Sequence, residues 1–505
     1  MKTLFYILVN IILVSMLHAQ IPFSNNNDTA YIRTYGGNNF DEAKDIKETF
    51  DYGYILIGTT SSFGQGSTSM YVVKTDSLGK HQWSKTYGGL NIDWGYSVEN
   101  AYNNGYLFVG YTNSFIDGNG YDGYIVRTDS IGKQLWQTTF GGDDWDYLYN
   151  SYPLADSGYV LCGSSYTHSA GNKDAWLIRI NKFGDTLWTK LYGAQEDEEY
   201  NDVIVLKKSI YAVGKQYNPI RKRTDAIIKK YDLSGNITGS YVYAPKDSVN
   251  YEYKGISATA NMELILTGKK DSLPIKNLSS SIIMRMDTSF LIQWIDPGGY
   301  SQMSVANKSV ENSKHEIITV GTVHDGLGGT ALFPIHYYSN GWWISSPTYG
   351  NTGDETGNSL IMTSKKHLVF VGSTNSASLS YGDKDMYLVL MKSDSVYSDL
   401  HTNLVKFHDT LSLIIINVAE HSPVSSTLLI APNPFSSECR IDILGMPKKN
   451  ESLLVVLYDV FGNEVYRSQT SQNSFILNKN QLSIGSYALV ITGNSIYYRR
   501  LVIIE

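Results

Sequence analysis

Acidic residues recur at one place in a repeating pattern of this 505-residue chain, and such residues bind cations or accept hydrogen bonds from hydroxyl groups. Each lies five residues after an aligned glycine, at Asp41, Asp93, Asp146, Glu198 and Glu355. In a ring of repeats they would form a circle suited to Ca²⁺ or sugar hydroxyls. The alternative is that each carboxylate accepts hydrogen bonds from amides of its own turn. The regularity of the set favours this alternative, because a functional site should differ between copies.

Two tryptophans depart from that regularity. Trp94 and Trp145 each stand beside one of the acids, and exposed indole rings stack on sugars. Together with the five acids they mark a candidate ligand-binding face, although packing between repeats explains them equally well. The loops after the repeated glycines also differ from copy to copy. One carries Arg221-Lys222-Arg223, which is either a solvated loop or a contact for an acidic glycan or partner.

Catalytic motifs are absent from the sequence. There is no H-E-x-x-H, no G-x-S-x-G and no Walker loop, and the ten histidines have no metal-ligand spacing. The G-x-G-x-x-G at Gly118, Gly120 and Gly123 leads into a strand, so it is a turn and not a dinucleotide site. Cys162 and Cys439 are expected to be buried free thiols. We therefore predict no enzyme activity, no catalytic residue, no metal and no cofactor.

A glycine that closes a short apolar run defines the repeating unit. It occurs every 51 to 54 residues, at Gly58, Gly110, Gly163, Gly214, Gly268, Gly321 and Gly372. Each copy contains four strand-like segments separated by turn residues. Four-stranded units at this period predict a β-propeller, here with seven blades.

The last strand of a copy carries the pattern G-x-x-x-W-x-x-x-[YF]-G, as at Gly79, Trp83, Tyr87 and Gly88. Because side chains alternate along a strand, both aromatic rings point to the same face and should pack between adjacent sheets. The repeats resemble a large family of bacterial secreted propellers with Trp-bearing blades. The turn also resembles the tryptophan-docking motif of quinoprotein propellers, which implies that it joins blades and does no chemistry. The adjacent cysteine pair of quinoproteins is missing.

The two ends of the repeat region complement each other. Residues Tyr31 to Gly36 read as the fourth strand of a blade but precede the first full copy, and the seventh copy has no fourth strand after Asp394. We predict that the N-terminal segment completes the last blade and removes an exposed sheet edge. This prediction gives a propeller over residues 29–397 and a connector over 398–427 that could pack under the last blade.

An export signal is predicted for residues 1–19. Lys2 precedes an almost unbroken apolar run from Leu4 to Leu17, and Ala19 is a small residue suited to cleavage before Gln20. The run is short for a membrane span, and no later stretch is long and apolar enough to cross a bilayer. We expect an exported, soluble mature protein without a transmembrane segment.

The last part of the chain, residues 428–505, predicts about seven short strands in a small Ig-like sandwich, because apolar residues alternate between turn dipeptides. It resembles the C-terminal sorting domain of the type IX secretion system, in motifs formed by Pro432, Asn433, Pro434, Asp459, Gly462, Leu482, Gly485 and Tyr487. The resemblance implies that these residues form a sorting signal and that the type IX machinery is a partner. It also implies export across the periplasm to the outer-membrane surface or the medium.

These observations predict an all-β protein, a seven-bladed β-propeller followed by a small C-terminal β-sandwich. The formal net charge of −7 argues against a nucleic-acid partner. We expect a monomeric, non-enzymatic module that binds a protein or a glycan, which an aromatic patch on a rim would support. The alternative is a secreted polysaccharide-active hydrolase or lyase with a site in the propeller channel, which an asymmetric group of acids with a His or Tyr there would support. A purely structural surface layer is a third possibility.

Overall fold

The structure is a computed structural model, and it confirms the all-β prediction. It divides into two compact units, one up to Leu411 and one from Ser412. The described residues are 29–116, 120–167, 169–247, 249–272, 279–296, 304–324, 329–345, 349, 353–380, 382–395, 401–404, 427–431, 435–444, 452–458, 464–479, 482–492 and 497–504.

Within these residues the strands are numbered β1 to β36 in chain order, with one 3₁₀ turn at Tyr102–Asn104. They are Thr29–Tyr35, Asp41–Glu48, Tyr54–Thr60, Ser69–Thr75, His81–Tyr87, Asp93–Asn100, Tyr106–Thr112, Asp122–Thr128, Gln134–Phe140, Asp146–Pro153, Tyr159–Ser165, Asp174–Ile180, Thr186–Tyr192, Glu198–Leu206, Ser209–Asn218, Arg223–Asp232, Ile237–Tyr243, Val249–Ala258, Leu264–Ser272, Ser279–Met286, Ile292–Asp296, Ser304–Glu311, Ile317–His324, Thr330–Tyr337, Trp343–Ser345, Glu355–Met362, Leu368–Thr374, Asp385–Met391, His401–Leu404, Thr427–Ala431, Glu438–Leu444, Leu453–Tyr458, Glu464–Thr470, Ser474–Asn478, Gly485–Thr492 and Tyr497–Ile504.

The first unit is a seven-bladed propeller, as predicted. Blades one to six are four-stranded antiparallel sheets whose strands follow chain order, from β2-β3-β4-β5 to β22-β23-β24-β25. The first strand of each blade packs against the first strand of the next, and β26 of the last blade packs against β2 of the first. The ring is therefore closed, and the seven first strands surround its central channel.

The predicted closure by the N-terminal segment is present. β1 pairs antiparallel with β28 in the seventh blade, with Tyr31 opposite Leu390 and Tyr35 opposite Met386. The hydroxyl of Tyr35 donates a hydrogen bond to the carbonyl of Gly79 in the first blade. The segment predicted as a connector also contributes, because β29 pairs parallel with β1 and gives the seventh blade a fifth strand.

The seven repeated glycines all lie opposite a β-bulge in the first strand of their blade. Gly58 pairs with Ala43, and the next pair is Ile57 with Asp45, so that Lys44 bulges out of the ladder. The same shift occurs in every other blade. A Cβ atom on any of the seven glycines would lie 1.7–2.0 Å from a carbonyl oxygen of the bulged strand. Glycine is thus required wherever the backbone approaches this closely.

The tryptophans of the outer strands join neighbouring blades, as the docking resemblance implies. The indole of Trp188 donates a hydrogen bond to the Leu233 carbonyl at 3.0 Å, in the hairpin of the next blade. Trp294 donates equally to Ser339. These hairpins turn at a glycine with positive φ that the indole covers, as Trp83 covers Gly132. The contact both satisfies the indole N–H and buries its ring.

The second unit has seven described strands in two sheets, β30-β31-β34 and β33-β32-β35-β36. Side chains of both sheets share one apolar core, which includes Ile441, Leu477, Leu457 and Leu489. The predicted small sandwich is therefore confirmed. Cys439 belongs to this core and Cys162 to a core of the propeller, and both are buried free thiols.

Candidate functional site

The five predicted carboxylates lie at the start of β2, β6, β10, β14 and β26, where the first strand of each blade begins. This edge, which also holds the loops between second and third strands, is called the upper face. All five side chains are at most 5% exposed. Asp41 accepts a hydrogen bond from the Gly37 amide at 2.8 Å, and Asp93 accepts one from Gly89 at 2.8 Å. Asp146 and Glu198 accept from amides four residues earlier in the same way.

Four of the five carboxylates, Glu198 being the exception, are also given hydrogen bonds by hydroxyl groups of the adjoining second strand and loop. Thr167 donates to Asp146 at 2.7 Å, and Thr374 donates to Glu355 at 2.7 Å. Because they are buried and bonded inside the protein, these acids fix the turns between blades and offer no open surface to a ligand. This arrangement corresponds to the turn alternative weighed for them from the sequence.

A second series of acids at the start of the third strands packs against the first. The pairs are Asp385 with Asp41, Asp122 with Asp146, and Asp174 with Glu198. In each pair, one carboxylate oxygen of either residue lies beside the same glycine, and the two oxygens are within about 5 Å of each other. Burial raises the pKa of Asp41 to about 6. Burial and then the charge of Asp146 raise the pKa of Asp122 to about 6, and burial raises that of Glu198 to about 7.

These pKa values predict that the buried carboxyls destabilise the propeller as the pH rises. A carboxyl whose pKa is about 4 in the unfolded chain and about 6 when folded binds its proton more tightly in the folded state. The contribution of each of these three carboxyls to the free energy of unfolding should therefore fall between pH 4 and 7. Asp122→Asn should be more stable than the parent at pH 7.5, by on the order of 2 kcal/mol, and equal to it near pH 4. Urea denaturation at both pH values measures this, with Asp143→Asn, an exposed neighbour, as control. Equal stabilities of Asp122→Asn and parent at pH 7.5 would contradict it.

An aromatic wall lies on the upper face at blades two and three. Its half-buried or exposed members are Phe40, Trp94, Tyr96, Tyr111, Tyr121, Trp145, Tyr147, Tyr149 and Tyr166. Trp94 stacks on Tyr111 with ring centroids 6.0 Å apart, and Tyr111 meets Tyr147 edge-on at 4.9 Å. Tyr96 contacts Tyr149 across the two blades at 5.5 Å. Trp145, 47% exposed, ends the wall against Tyr121 and Tyr166.

The bulges place this wall at the mouth of the channel. Tyr96 and Tyr149 are the bulged residues of their strands, and Trp94 and Tyr147 lie two positions earlier on the same face. None of the equivalent pairs in the other five blades is aromatic. Four of the five are polar, for instance Glu42 with Lys44, and blade six has Val305 with Asn307. The wall is therefore a local feature that the repeat does not require.

A lysine–glutamate cluster lies at the mouth of the channel next to the wall. Its residues come from the loop of blade three and from blades four and five. It consists of Glu199 and Glu252 with Lys173, Lys215, Lys254 and Lys269. Glu199 pairs with Lys173 at 2.6 Å and with Lys215 at 3.0 Å. Although burial alone would raise it, the pKa of Glu199 is lowered by these two lysines. The carboxylate is therefore ionised throughout the physiological pH range.

Lys44 lies on the opposite side of the wall. Its ammonium pairs with Glu42 at 2.9 Å and sits 5.8 Å from the centre of the Tyr96 ring. Asn358 of the seventh blade donates to Glu42 at 3.0 Å, which fixes that carboxylate across the blade junction. The aromatic wall is thus flanked by charged groups on both sides.

Deeper in the channel a second group of charges lies on the first strands. Lys47 pairs with Glu99 at 2.8 Å, and Lys308 pairs with Asp202 at 2.6 Å. Burial raises the pKa of Glu99 against the opposing effect of Lys47. Tyr152 lies on β10, which packs against β6, the strand of Glu99. Burial and then the charge of Glu99 raise the pKa of this tyrosine.

In the part of the chain that the structure describes, no group of three or more His, Cys, Asp or Glu side chains could hold a metal ion. Among the same residues, no helix has the length and hydropathy needed to cross a bilayer. The Arg221-Lys222-Arg223 loop is not an open basic patch. Arg223 is buried and paired with Asp225 and Asp247, and Arg221 also pairs with Asp225.

Residues 429–505 match the family described as the secretion system C-terminal sorting domain. This segment is a type IX sorting domain. The resemblance predicted from the motifs is thereby confirmed, and the route that it implies leads beyond the periplasm, to the cell surface or the medium. Of the motif residues, Leu482 and Tyr487 lie in the sandwich core, and Gly485 begins β35. Pro432, Asn433, Pro434, Asp459 and Gly462 lie outside the described residues.

Three solved structures share a distant likeness with the chain. The β-propeller domain of the Trilobed protease from Pyrococcus furiosus is 8% identical, covering 80% of this chain and 95% of that one, with a TM-score of 0.34. The acylaminoacyl peptidase of Pyrococcus horikoshii is 10% identical, covering 80% and 58%, with a TM-score of 0.41. The extracellular domain of a one component system from B. thetaiotaomicron is 10% identical, covering 92% and 57%, with a TM-score of 0.35. The chain thus spans little more than half the length of the last two. No curated protein sequence matches it.

Two of the seven residues proposed for the ligand-binding face, Trp94 and Trp145, belong to the aromatic wall, while the five acids lie buried beneath the same face. The tyrosines of the wall and the lysines of the mouth were missed. The sequence does contain a signal for some of the tyrosines. Side chains alternate along a strand, so residues 94 and 96, and likewise 147 and 149, lie on one side of their strand. The bulge that turns this side to the channel has no sequence signal apart from the glycine opposite it.

Proposed function

We propose that the protein is a non-enzymatic module that binds a glycan at the mouth of the propeller channel, after export by the type IX system. The observation that carries this proposal is the aromatic wall. Blades one and four to seven close the ring with other residues at the equivalent positions, so packing alone does not call for aromatic side chains there. Partly exposed tyrosine and tryptophan rings supply flat apolar faces for sugar rings.

The wall also suits a glycan better than a protein partner because polar groups adjoin it directly. The ammonium of Lys44 lies 5.8 Å from the centre of the Tyr96 ring, and burial together with the carboxylate of Glu199 raises the pKa of Tyr149. A sugar presents apolar C–H faces and hydroxyl groups within a few ångströms of each other. Rings for stacking beside ammonium and carboxylate groups match that alternation.

Removing one exposed aromatic side chain of the wall tests the proposal. Trp145→Ala in the chain lacking only residues 1–19 should weaken binding to the glycans that the parent retains on an array, by about tenfold. Trp342→Ala is the control, because that tryptophan is more exposed, 74% against 47%, and lies in a hairpin at the opposite edge of blade six. Binding that is unchanged in Trp145→Ala and also in Trp94→Ala would refute a site at the wall.

A polysaccharide-active hydrolase or lyase is the second candidate. The observation in its favour is the asymmetric channel group of Glu99, Asp202 and Tyr152, in which Glu99 has a raised pKa. Both acids are neutralised by lysines at 2.8 Å or less, which favours a structural role. Incubating bound glycans with the protein and assaying reducing ends and unsaturated products decides between the candidates. Reaction product that the parent forms and that Glu99→Gln does not form would establish that the protein is an enzyme.

A further inference from the structure

The charged groups at the channel mouth are arranged by sign. The lysines reach toward solvent, with side chains 23% exposed at Lys44, 25% at Lys215 and 30% at Lys254. Their carboxylate partners lie beneath them, at 8% for Glu199 and 7% for Glu252. A molecule approaching Glu199 or Glu252 therefore meets ammonium groups first, whereas Asp271, the partner of Lys269, is itself 34% exposed. The net charge of the whole chain is −7, so the positive charge of these lysines is a local feature.

The ammonium groups also exceed the carboxylates that they neutralise. Glu252 alone has Lys254 at bonding distance, Lys215 at 3.6 Å and Lys269 at 3.9 Å. Glu199 is shared by Lys173 and Lys215. Lys269 also pairs with Asp271, at 2.9 Å. The four lysines of the cluster thus face three carboxylates, and one positive charge remains available to a bound anion.

The positions of the lysines relative to the aromatic wall restrict the kind of anion. Lys44 stands at the blade-one side of the wall, 5.8 Å from the centre of the Tyr96 ring. Lys173 and Lys215 pair with Glu199 at the blade-four side, on β14, which packs against the strand of Tyr149, β10. A ligand stacked on the wall would have ammonium groups at both ends. An anion without a ring would leave the wall unused, and a neutral sugar would leave the surplus charge unpaired.

We propose that the glycan is a polyuronate, a polysaccharide whose sugar rings carry carboxylate groups. This inference rests on the proposed function, and it adds the chemical class of the ligand. The rings of the saccharide stack on the aromatic wall, and their carboxylates accept hydrogen bonds from the mouth lysines. Lys44 and Lys254 are two of these donors, and both are the bulged residues of their first strands.

Two forms of one polymer test the charge without changing the sugar. The probes are polygalacturonate and the same polymer with its carboxylates methyl-esterified, titrated against the chain lacking only residues 1–19. The parent should bind the free acid at least about tenfold more tightly than the ester, and added salt should reduce this preference. Lys44→Gln with Lys254→Gln should abolish the preference. Glu42 and Glu252 keep other partners in this variant, Asn358 for the first and Lys215 and Lys269 for the second.

Controls separate the two levels of the proposal. Lys133→Gln changes an exposed lysine in a hairpin on the opposite face and should keep the preference. If acid and ester bind equally and both lose affinity in Trp145→Ala, the polyuronate inference is overturned and the glycan site stands. If neither polymer binds, and Trp145→Ala does not change binding to the array glycans, the proposed function itself is refuted. Preference for the acid that persists in the double lysine variant would place the anion elsewhere, against this inference.

Discussion

Removal of residues 428–505 should leave nearly all of the protein in the periplasm. The deleted segment contains the sorting domain matched over 429–505, whereas the propeller ends its described strands at β29, before the deletion begins. The propeller should therefore still fold, since its ring is closed by the pairing of β1 with β28, both of which the truncated chain keeps. Fractionation into cytoplasm, periplasm, outer membrane and medium, followed by immunoblotting, measures the result.

The truncated chain must be shown to be folded where it accumulates. Resistance of the periplasmic product to limited proteolysis provides that check, because a misfolded propeller would be degraded at exposed strand edges. The reciprocal experiment fuses residues 428–505 to the C-terminus of a carrier protein with a signal peptide, and the fusion should leave the periplasm. Normal amounts of the truncated chain in the medium would contradict the role of the sorting domain.

The architecture of this chain was predictable because the repeat imposes it in several independent ways. The period of the glycines gave the blade number, and the unpaired fourth-strand pattern near Tyr31 gave the closure with β28. The sorting domain was predictable from ordered motifs of which Leu482 and Tyr487 turn out to be core residues. In each case the sequence pattern reflects a backbone or packing requirement that recurs along the chain.

The candidate site was only partly predictable, for the opposite reason. The five acids attracted attention because they repeat, and they repeat because each fixes the same turn, as Asp93 does with the Gly89 amide. The mouth of the channel is built from residues of seven first strands that are far apart in sequence. Lys44, Tyr96 and Tyr149 become neighbours only after the ring closes and the bulges turn them inward. The strand β29 in the predicted connector was missed for a similar reason, because its partner is β1, at the far end of the propeller sequence.

The glycine opposite each bulge should be among the least replaceable residues in the protein. In Gly110→Ala the new Cβ atom would lie 1.7 Å from the carbonyl oxygen of Trp94, a backbone atom that cannot rotate away. The strand carrying Trp94 and Tyr96 would have to move, which breaks ladder hydrogen bonds between β6 and β7. We expect a loss of at least about 3 kcal/mol in the free energy of unfolding. Gly239→Ala is the matched control, because its Cβ would first meet the side chain of Phe290 at 3.0 Å, which can shift. Urea denaturation should show a much smaller loss there, and similar losses for both variants would refute the requirement for glycine at the bulge.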